Sequence, residues 1–505
     1  MRKNSIAGIA ALIIFAISFP AVLVAQSAPT ATAFRPMPFA SGPIKVGPAK
    51  GTLVVVGGGV IGPRVWKAFI DAAGGPDALI LDVPNASVAS ADDKAPQEAG
   101  QRLRDNGARN VVVLFTKDRK IADSEAFTAI IKKAGGIWFD GGRQFRLVRD
   151  YGQTKTEQAF MDLLDRGGVI GGTSAGASIQ GDFMVRGAPS DDNSVMDYPG
   201  SNRGFGYLRN VGIDQHVVAR SRLPDLADSI IPKYPGLLGI SEDEGTAWVI
   251  HGDAASIVGR NKAFVYNGND PTDPGAPFLT LYPGDRYDLN TRLVVSRAAD
   301  RSPVKPSLIT SLFEKYNTPA TGGATVLVAQ DGNVFVDRAF GIPAQPRYMP
   351  RTTVPQFPLG NITKAFKTLC AQLPPLTTKP NQDDAKRAVL SQLQSCVAQL
   401  SKPVGMHQTG AESGEVRSNV DELYRFSLAL EVPATWPKID YADGWTRDTY
   451  RGVKRHALYA TTDGKRAAFV RIPSRHATVI ILTNDSAADA RGMSERILEQ
   501  LFGAS

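Results

Sequence analysis

GVIGGTSAGASIQG, residues 168–181, joins an apolar run ending in glycines to a stretch of small residues, with Ser174 at the joint. The run from Gly168 to Gly172 reads as a buried strand and AGASIQG as the start of a helix. Ser174 is flanked as Gly-Thr-Ser-Ala-Gly. A nucleophilic serine needs such neighbours, because they let a strand turn sharply into a helix, lift Oγ clear of the backbone, and aim the helix N–H groups at a developing oxyanion. Ordinary tight turns use the same spelling, so the surroundings have to decide between the two.

Outward from this joint, one pattern repeats. TLVVVGGG (52–59), DALILDVP (77–84), NVVVLF (110–115) and IWFDGG (137–142) are apolar runs, separated by helical patterns in PRVWKAFIDAAGG, APQEAGQRLRDNG and SEAFTAIIKKAGG. Continuous apolar strands alternating with amphipathic helices predict an α/β domain, a doubly wound parallel sheet whose sites gather at the carboxyl ends of its strands. Beyond Asp253, FVYNG, PFLTLYPGDRYDL and TRLVVS read as a β-rich closure of that domain. SPVKPS (302–307) reads as a linker. After it, ATVLVAQDGNVFVDRAFG (324–341) forms two alternating segments about Asp331-Gly332, a hairpin signal opening a second, smaller α+β domain. RHATVIILTND and DARGMSERILEQLF close it as a strand and a helix.

Length and composition fit this division: 505 residues, 43% hydrophobic and 21% charged, describe a globular chain of more than one domain. The chain opens with Arg2 and Lys3, an uncharged run from Ile6 to Ala25, and a polar turn at Gln26, with a small-x-small site ending at Ala33. This reads as a secretory signal, which predicts a secreted or periplasmic protein, touching the membrane only if the segment stays uncleaved. The expected organisation is a signal over 1–33, a Pro/Ala/Gly-rich linker over 34–50, one domain over 51–300 and a second over 301–505. The two cysteines, Cys370 and Cys396, are placed to form one disulfide or to stay as buried thiols, and cannot by themselves build a tetrahedral thiolate site. A net charge of +8 suits an acidic partner, yet no Lys/Arg run with interleaved aromatics marks a nucleic-acid surface.

A nucleophile needs a base and an orienting acid. Of five histidines, His251, His407, His456 and His476 have no polar companions that suggest a site, and read as surface or packing residues. His216 sits in NVGIDQHVVARSRLPD with Asp214, Gln215, Arg220 and Arg222 just after an apolar segment. GISEDEGTAWVI then offers Glu242, Asp243 and Glu244 before the next strand, any of which could orient an imidazole.

Gly57-Gly58-Gly59, FDGGRQ with Gln144, GGTSAGAS, DQHVVARSR and DEGTA, in this order and at these intervals, resemble the cyanophycinase and aspartyl dipeptidase family of serine peptidases. The resemblance spans most of 50–295. It implies a fold related to class I glutamine amidotransferases and a triad of Ser174, His216 and Glu244. It also implies a pocket lined by Gln144, Asp214, Gln215, Arg220 and Arg222. The substrate it implies is cyanophycin, poly-aspartate bearing arginine on its side chains, cut to β-Asp-Arg dipeptides, or another β-aspartyl peptide. The backbone N–H groups of Gly58, Gly59 and Ala175 are candidate oxyanion donors. No metal or cofactor is called for.

Two departures stand out. Asp225 occupies a position where the family commonly has arginine. The acidic segment reads SEDEGTA where a Gly-hydrophobe-Asp-Glu pattern is expected, so Glu244 is assigned by its spacing to Thr246-Ala247. The second domain resembles the serine β-lactamase and penicillin-binding-protein superfamily in its hairpin, in LGNITKAF (359–366) and in its closing elements. Asn361 stands at the nucleophile position three residues before Lys364, and RHALY (455–459) lacks the glycine of the matching strand, which predicts a module without catalysis of its own. Alternatives to cyanophycin hydrolysis are an isoaspartyl dipeptidase and a non-catalytic peptide or cell-wall binding protein; a homodimer is the expected assembly where the chain self-associates.

Overall fold

The computed structural model describes residues 45–503 apart from 89–91, 93, 191, 268–276, 318–322, 342–355, 372–384, 402–403, 414, 432–444, 462–463 and 465. The expected signal segment and most of the linker lie outside the described residues. Four sheets organise the rest. Leu53, Val54, Val55 and Val56 are completely buried, as a strand covered on both faces requires. This strand, Thr52–Val56, runs parallel to Val169–Thr173, which is followed outward by Gly136–Phe139, Ile80–Val83 and Val111–Val113, all parallel.

The sheet is not parallel throughout, and here the sequence reading needs correction. On the other side of Thr52–Val56 lie Thr246–His251, Ala254–Gly259, Arg286–Asp288 and Leu293–Ser296, each antiparallel to its neighbour. The expected β-rich closure therefore extends the same nine-stranded sheet. A second sheet, absent from the sequence reading, pairs Gly181–Phe183, Leu208–Gln215 and Leu238–Glu242 in parallel and adds Ala263–Tyr266 and Leu279–Leu281 antiparallel. The first half is a mixed α/β fold in which two sheets present strand ends to one another.

Pro306 and Ser307, the last residues of SPVKPS, begin the helix Pro306–Phe313, where a proline's missing N–H costs nothing. The hairpin follows as expected, Ala324–Gln330 paired with Asn333–Phe340 across Asp331 (φ +51°) and Gly332 (φ +76°), the two left-handed residues of a primed turn. These strands join Ala477–Thr483, Arg466–Ile472, Val453–Ala460 and Thr446–Tyr450 in a six-stranded antiparallel sheet. Pro306–Phe313 and the terminal helix Ala490–Leu501 share one buried cluster with it, and Val420–Ala429 packs into another. The helix Thr363–Ala371 exposes Lys364, and the disulfide Cys370–Cys396 ties this helix to Ala385–Ser401.

The halves are joined by charge as well as packing. Lys262, just before the strand Ala263–Tyr266, is 4% exposed and reaches Asp421 Oδ2 at 2.6 Å and Asp337 Oδ2 at 3.1 Å in the second half. Burial, and then the Asp421 charge, push Asp337 up to about 7, and the Lys262 ammonium opposes that shift. Removing the shared cation leaves buried carboxylates uncompensated. Lys262→Met should therefore lower stability by about 3–5 kcal/mol, read as a fall in the urea midpoint; an unchanged midpoint would mean that the three charges do not compensate one another.

Candidate active site

Ser174 follows the last residue of Val169–Thr173 and takes φ +56°, ψ −111°. A side chain in this region costs about 1–3 kcal/mol and persists only where its surroundings over-determine it. They do so here. The Ser174 N–H donates to the Val56 carbonyl at 2.9 Å, and its carbonyl accepts from the N–H groups of Ala177 and Ser178 in the short helix Ala175–Ser178. A Cβ on Gly172 would lie 2.2 Å from the Gly176 carbonyl oxygen, and one on Gly176 would lie 2.2 Å from the Phe139 carbonyl oxygen. The glycines of G-x-S-x-G are thus the room in which the chain turns. Ala175 opens the helix, so its N–H has no acceptor within that helix.

His216 comes from the other sheet. It ends the strand Leu208–Gln215, also with positive φ (+57°), and its N–H donates to the Gly57 carbonyl at 3.1 Å. Its Nε2 lies 2.9 Å from Ser174 Oγ and its Nδ1 lies 2.5 Å from Glu244 Oε1. With Nδ1–H donating to the carboxylate, Nε2 is left to accept the serine proton.

The three acids of SEDEG separate by environment. Glu242 ends Leu238–Glu242 fully buried, and neither carboxyl oxygen has a close hydrogen-bond partner among the described residues. The neighbouring Trp248 indole N–H goes instead to the Ser241 carbonyl. Burial, reinforced by the Asp214 charge, drives the Glu242 pKa well above the carboxylate range. Asp243 is an anchor: Oδ1 accepts from the N–H groups of Val218 and Ala219 at 3.0 and 2.9 Å, and Oδ2 accepts from Asn261 and from Arg425 of the second half. Only Glu244 faces His216. Burial acts to raise its pKa, but hydrogen bonds from His216 and His407 hold it well below the usual range.

His407 carries no signal of a site in the sequence, since Gln408 and Thr409 beside it read as an ordinary polar loop. Its Nε2 lies 2.7 Å from Glu244 Oε2, across 163 residues of chain. No local signal in GMHQTG marks this contact.

Gly58 and Gly59, the expected oxyanion donors, are also glycine for a steric reason. A Cβ on Gly58 would fall 2.1–2.9 Å from the His216 ring, and one on Gly59 would fall 2.4 Å from Glu244 Oε2, so glycine is needed here to admit the imidazole and the carboxylate. Gly141 of FDGG is the glycine against the serine, its added Cβ meeting Ser174 Cβ at 3.3 Å. Beyond Gly141 opens a cavity of about 220 Å³ whose lining includes Asp82, Glu98 and Asp140. Burial, and then the Asp140 charge, push Asp82 up to about 8; burial raises Asp140 as well.

The expected pocket residues divide. Asp214 is fully buried and gripped by Arg186, Nε to Oδ1 at 3.1 Å and Nη2 to Oδ2 at 3.0 Å, so it is not open to a ligand as the sequence reading expected. Arg186 also pairs with Asp225, which explains the acidic residue there: it is a second carboxylate on the same buried guanidinium. Gln144 is buried and donates to the Val185 carbonyl, while Gln215 donates to Ser178 Oγ at 3.3 Å. Arg220 is exposed and Arg222 half-buried. Burial, and then the Arg186 charge, bring Arg222 down to about 10.

Residues 53–258 match the model of peptidase family S51. The cyanophycinase of Synechococcus elongatus is 30% identical over 269 residues, a match covering 48% of this chain and 81% of that protein. That of Geminocystis herdmanii is 29% identical over 228 residues, covering 43% and 81%. Among solved structures, a peptidase from an acI-B1 Actinobacterium aligns at 23% identity with a TM-score of 0.38, covering 47% of this chain and 97% of its own. The chain belongs to peptidase family S51 and is a serine-type peptidase.

Proposed function

We propose that the protein is an exported cyanophycinase, with Ser174 as nucleophile, His216 as general base and then acid, and Glu244 as the group that orients and charges the imidazole. What carries this reading is the run of contacts from Ser174 Oγ through His216 Nε2 and Nδ1 to Glu244 Oε1, at 2.9 and 2.5 Å, built on a serine held at positive φ. Oγ attacks the scissile carbonyl as its proton passes to Nε2. The oxyanion accepts from the N–H of Ala175 and from the Gly141 side of the site. The imidazolium returns the proton to the leaving amine, and water, deprotonated by the same nitrogen, releases the acyl group from Ser174.

Two features favour a substrate carrying both carboxylates and guanidinium groups. Arg220 and Arg222 remain available to carboxylates, whose planar geometry a guanidinium matches. The cavity beyond Gly141 is lined by Glu98 and Asp140, with the buried Asp82 and with Arg102, and its carboxyl oxygens would accept from an arginine side chain. A β-aspartyl dipeptidase is the second reading, favoured by the engagement of Asp214 with Arg186, which leaves one fewer free carboxylate for a polymer's arginines.

In the same reading the chain divides into 51–300 and 301–505. The second part, a β-lactamase-like module with Asn361 in place of a nucleophile, serves the first without reacting itself. The disulfide Cys370–Cys396 supports an oxidising destination, secreted or periplasmic.

Incubation with insoluble cyanophycin, read by mass spectrometry, should release β-Asp-Arg from the wild type and none from Ser174→Ala. Release by neither, with cleavage of free β-aspartyl dipeptides by the wild type alone, would favour the second reading. Glu244→Gln should lower kcat by about 10²–10⁴, since the imidazolium loses its counter-charge. Glu242→Gln should leave it nearly unchanged, because Glu242 is fully buried and does not face His216; equal losses would reject Glu244 as the acid. Asp140→Asn should raise KM for β-Asp-Arg roughly tenfold relative to a β-aspartyl dipeptide with an apolar second residue, the cost of one charge-assisted contact. A uniform change in both would disconnect the cavity from arginine recognition.

A further inference from the structure

Glu244 is bound at both oxygens. Oε1 faces His216 and Oε2 faces His407, at 2.5 and 2.7 Å, so the carboxylate cannot rotate without breaking one of two short contacts. Gly59 closes a third side, since even a Cβ there would collide with Oε2. The side chain of Glu244 is 11% exposed. His407 lies outside the stretch that the family model matches, 53–258, and belongs to the second half of the chain.

His407 is itself held in place. Arg425, on the helix Val420–Ala429, donates to the Gly405 carbonyl at 2.6 Å, two residues before His407. Glu422 on the same helix accepts from the N–H groups of Gln408 and Thr409 at 3.1 and 3.2 Å and pairs with Arg425 at 2.9 Å. Arg425 then reaches Asp243 at 3.2 Å, and Asp243 holds the N–H groups of Val218 and Ala219 immediately after His216. The loop that carries His407 and the loop that carries His216 are therefore pinned through one buried guanidinium.

We propose that His407 is a positioning residue for the reaction at Ser174, holding the second oxygen of Glu244 so that a correctly seated C-terminal half is a condition of full activity in the N-terminal half. The proposal rests on the reading of Ser174, His216 and Glu244 as the reacting triad. A contact that merely glues the halves together would be indifferent to the protonation of the base; one that shares the triad acid cannot be. Facing His407 are Glu244 and Asp243 from the turn after Leu238–Glu242, Arg425 from the helix, and Arg260, whose Nη2 is 3.6 Å from an added Cβ on Gly405. The hydrogen bond to Glu244 raises the His407 pKa above its ordinary value against the opposing burial and Arg425 charge. When His407 is protonated it shares the charge of Glu244 with His216, the two imidazoles lying 2.7 and 2.5 Å from the carboxylate's two oxygens. Glutamine at 407 keeps a donor and removes the cation, so the acidic limb of activity should move to higher pH. Alanine removes both.

The test is the rate at which a serine-directed fluorophosphonate labels the full-length protein, followed across the titration range of histidine, in the wild type, Ser174→Ala, His407→Ala and His407→Gln. The expected result is labelling at Ser174 in the wild type and none in Ser174→Ala. His407→Ala should label about tenfold more slowly, the scale on which losing an outer hydrogen-bond partner acts at metal sites. His407→Gln should keep a plateau rate close to that of the wild type, with its acidic limb displaced to higher pH. If both His407 variants match the wild type in rate and in pH profile while Ser174 is labelled, the positioning role is wrong and the triad stands. If the wild type is not labelled at Ser174, the triad reading fails and this proposal fails with it. Should His407→Ala lose its cooperative melting transition, the displaced limb of His407→Gln decides the matter alone.

Discussion

One carboxylate, Glu244, is the point on which the rest of the molecule converges. Its two oxygens are taken by imidazoles from opposite halves of the chain, at 2.5 and 2.7 Å. A carboxylate so held can neither turn away from His216 nor accept a proton at ordinary pH, because both neighbours favour its charge. Its folded-state pKa is depressed, so its contribution to stability is present above the unfolded carboxylate value and is lost as pH falls below it. The same acidification that weakens the seat of the second half also removes the charge that faces His216.

The architecture exists to make that convergence possible. Ser174 comes from the end of a parallel strand in the nine-stranded sheet, and His216 and Glu244 follow parallel strands of the five-stranded sheet. Neither sheet carries the constellation alone. Ser174 and His216 both adopt positive φ, conformations that cost about 1–3 kcal/mol each and that the packed strand ends maintain. Glycine is required wherever these side chains approach the backbone: Gly58 against the imidazole, Gly59 against the carboxylate, Gly141 against the serine.

Much of this was legible in the sequence because it depends on local pattern. Apolar runs ending in Gly-rich turns located the strands, and G-T-S-A-G, the polar cluster around His216 and the SEDEG turn located Ser174, His216 and Glu244 near strand ends. Asp331-Gly332 announced the hairpin by its need for two left-handed residues. What escaped depends on pairings across the fold. The second sheet uses strands whose neighbours no periodicity identifies, and the antiparallel extension of the first sheet looks, strand by strand, like any other β segment. Asp214 read as a pocket acid, and Asp225 as a reversal of charge, because their shared cation, Arg186, is 28 and 39 residues away. Gly58 and Gly59 read as oxyanion donors; the sequence shows that space is needed there and not for which side chain. His407 was invisible for the plainest reason: its partner is in the other half of the chain.

The most direct test of this account is the low-field proton spectrum of the histidine-labelled protein, in which five imidazoles keep assignment tractable. The account predicts two solvent-protected N–H resonances, from His216 Nδ1 and His407 Nε2, both shifted or lost in Glu244→Gln and each lost singly when its own histidine is replaced. Resonances indifferent to Glu244, or only one that depends on it, would contradict the claim that a single carboxylate binds the two halves and orients the base.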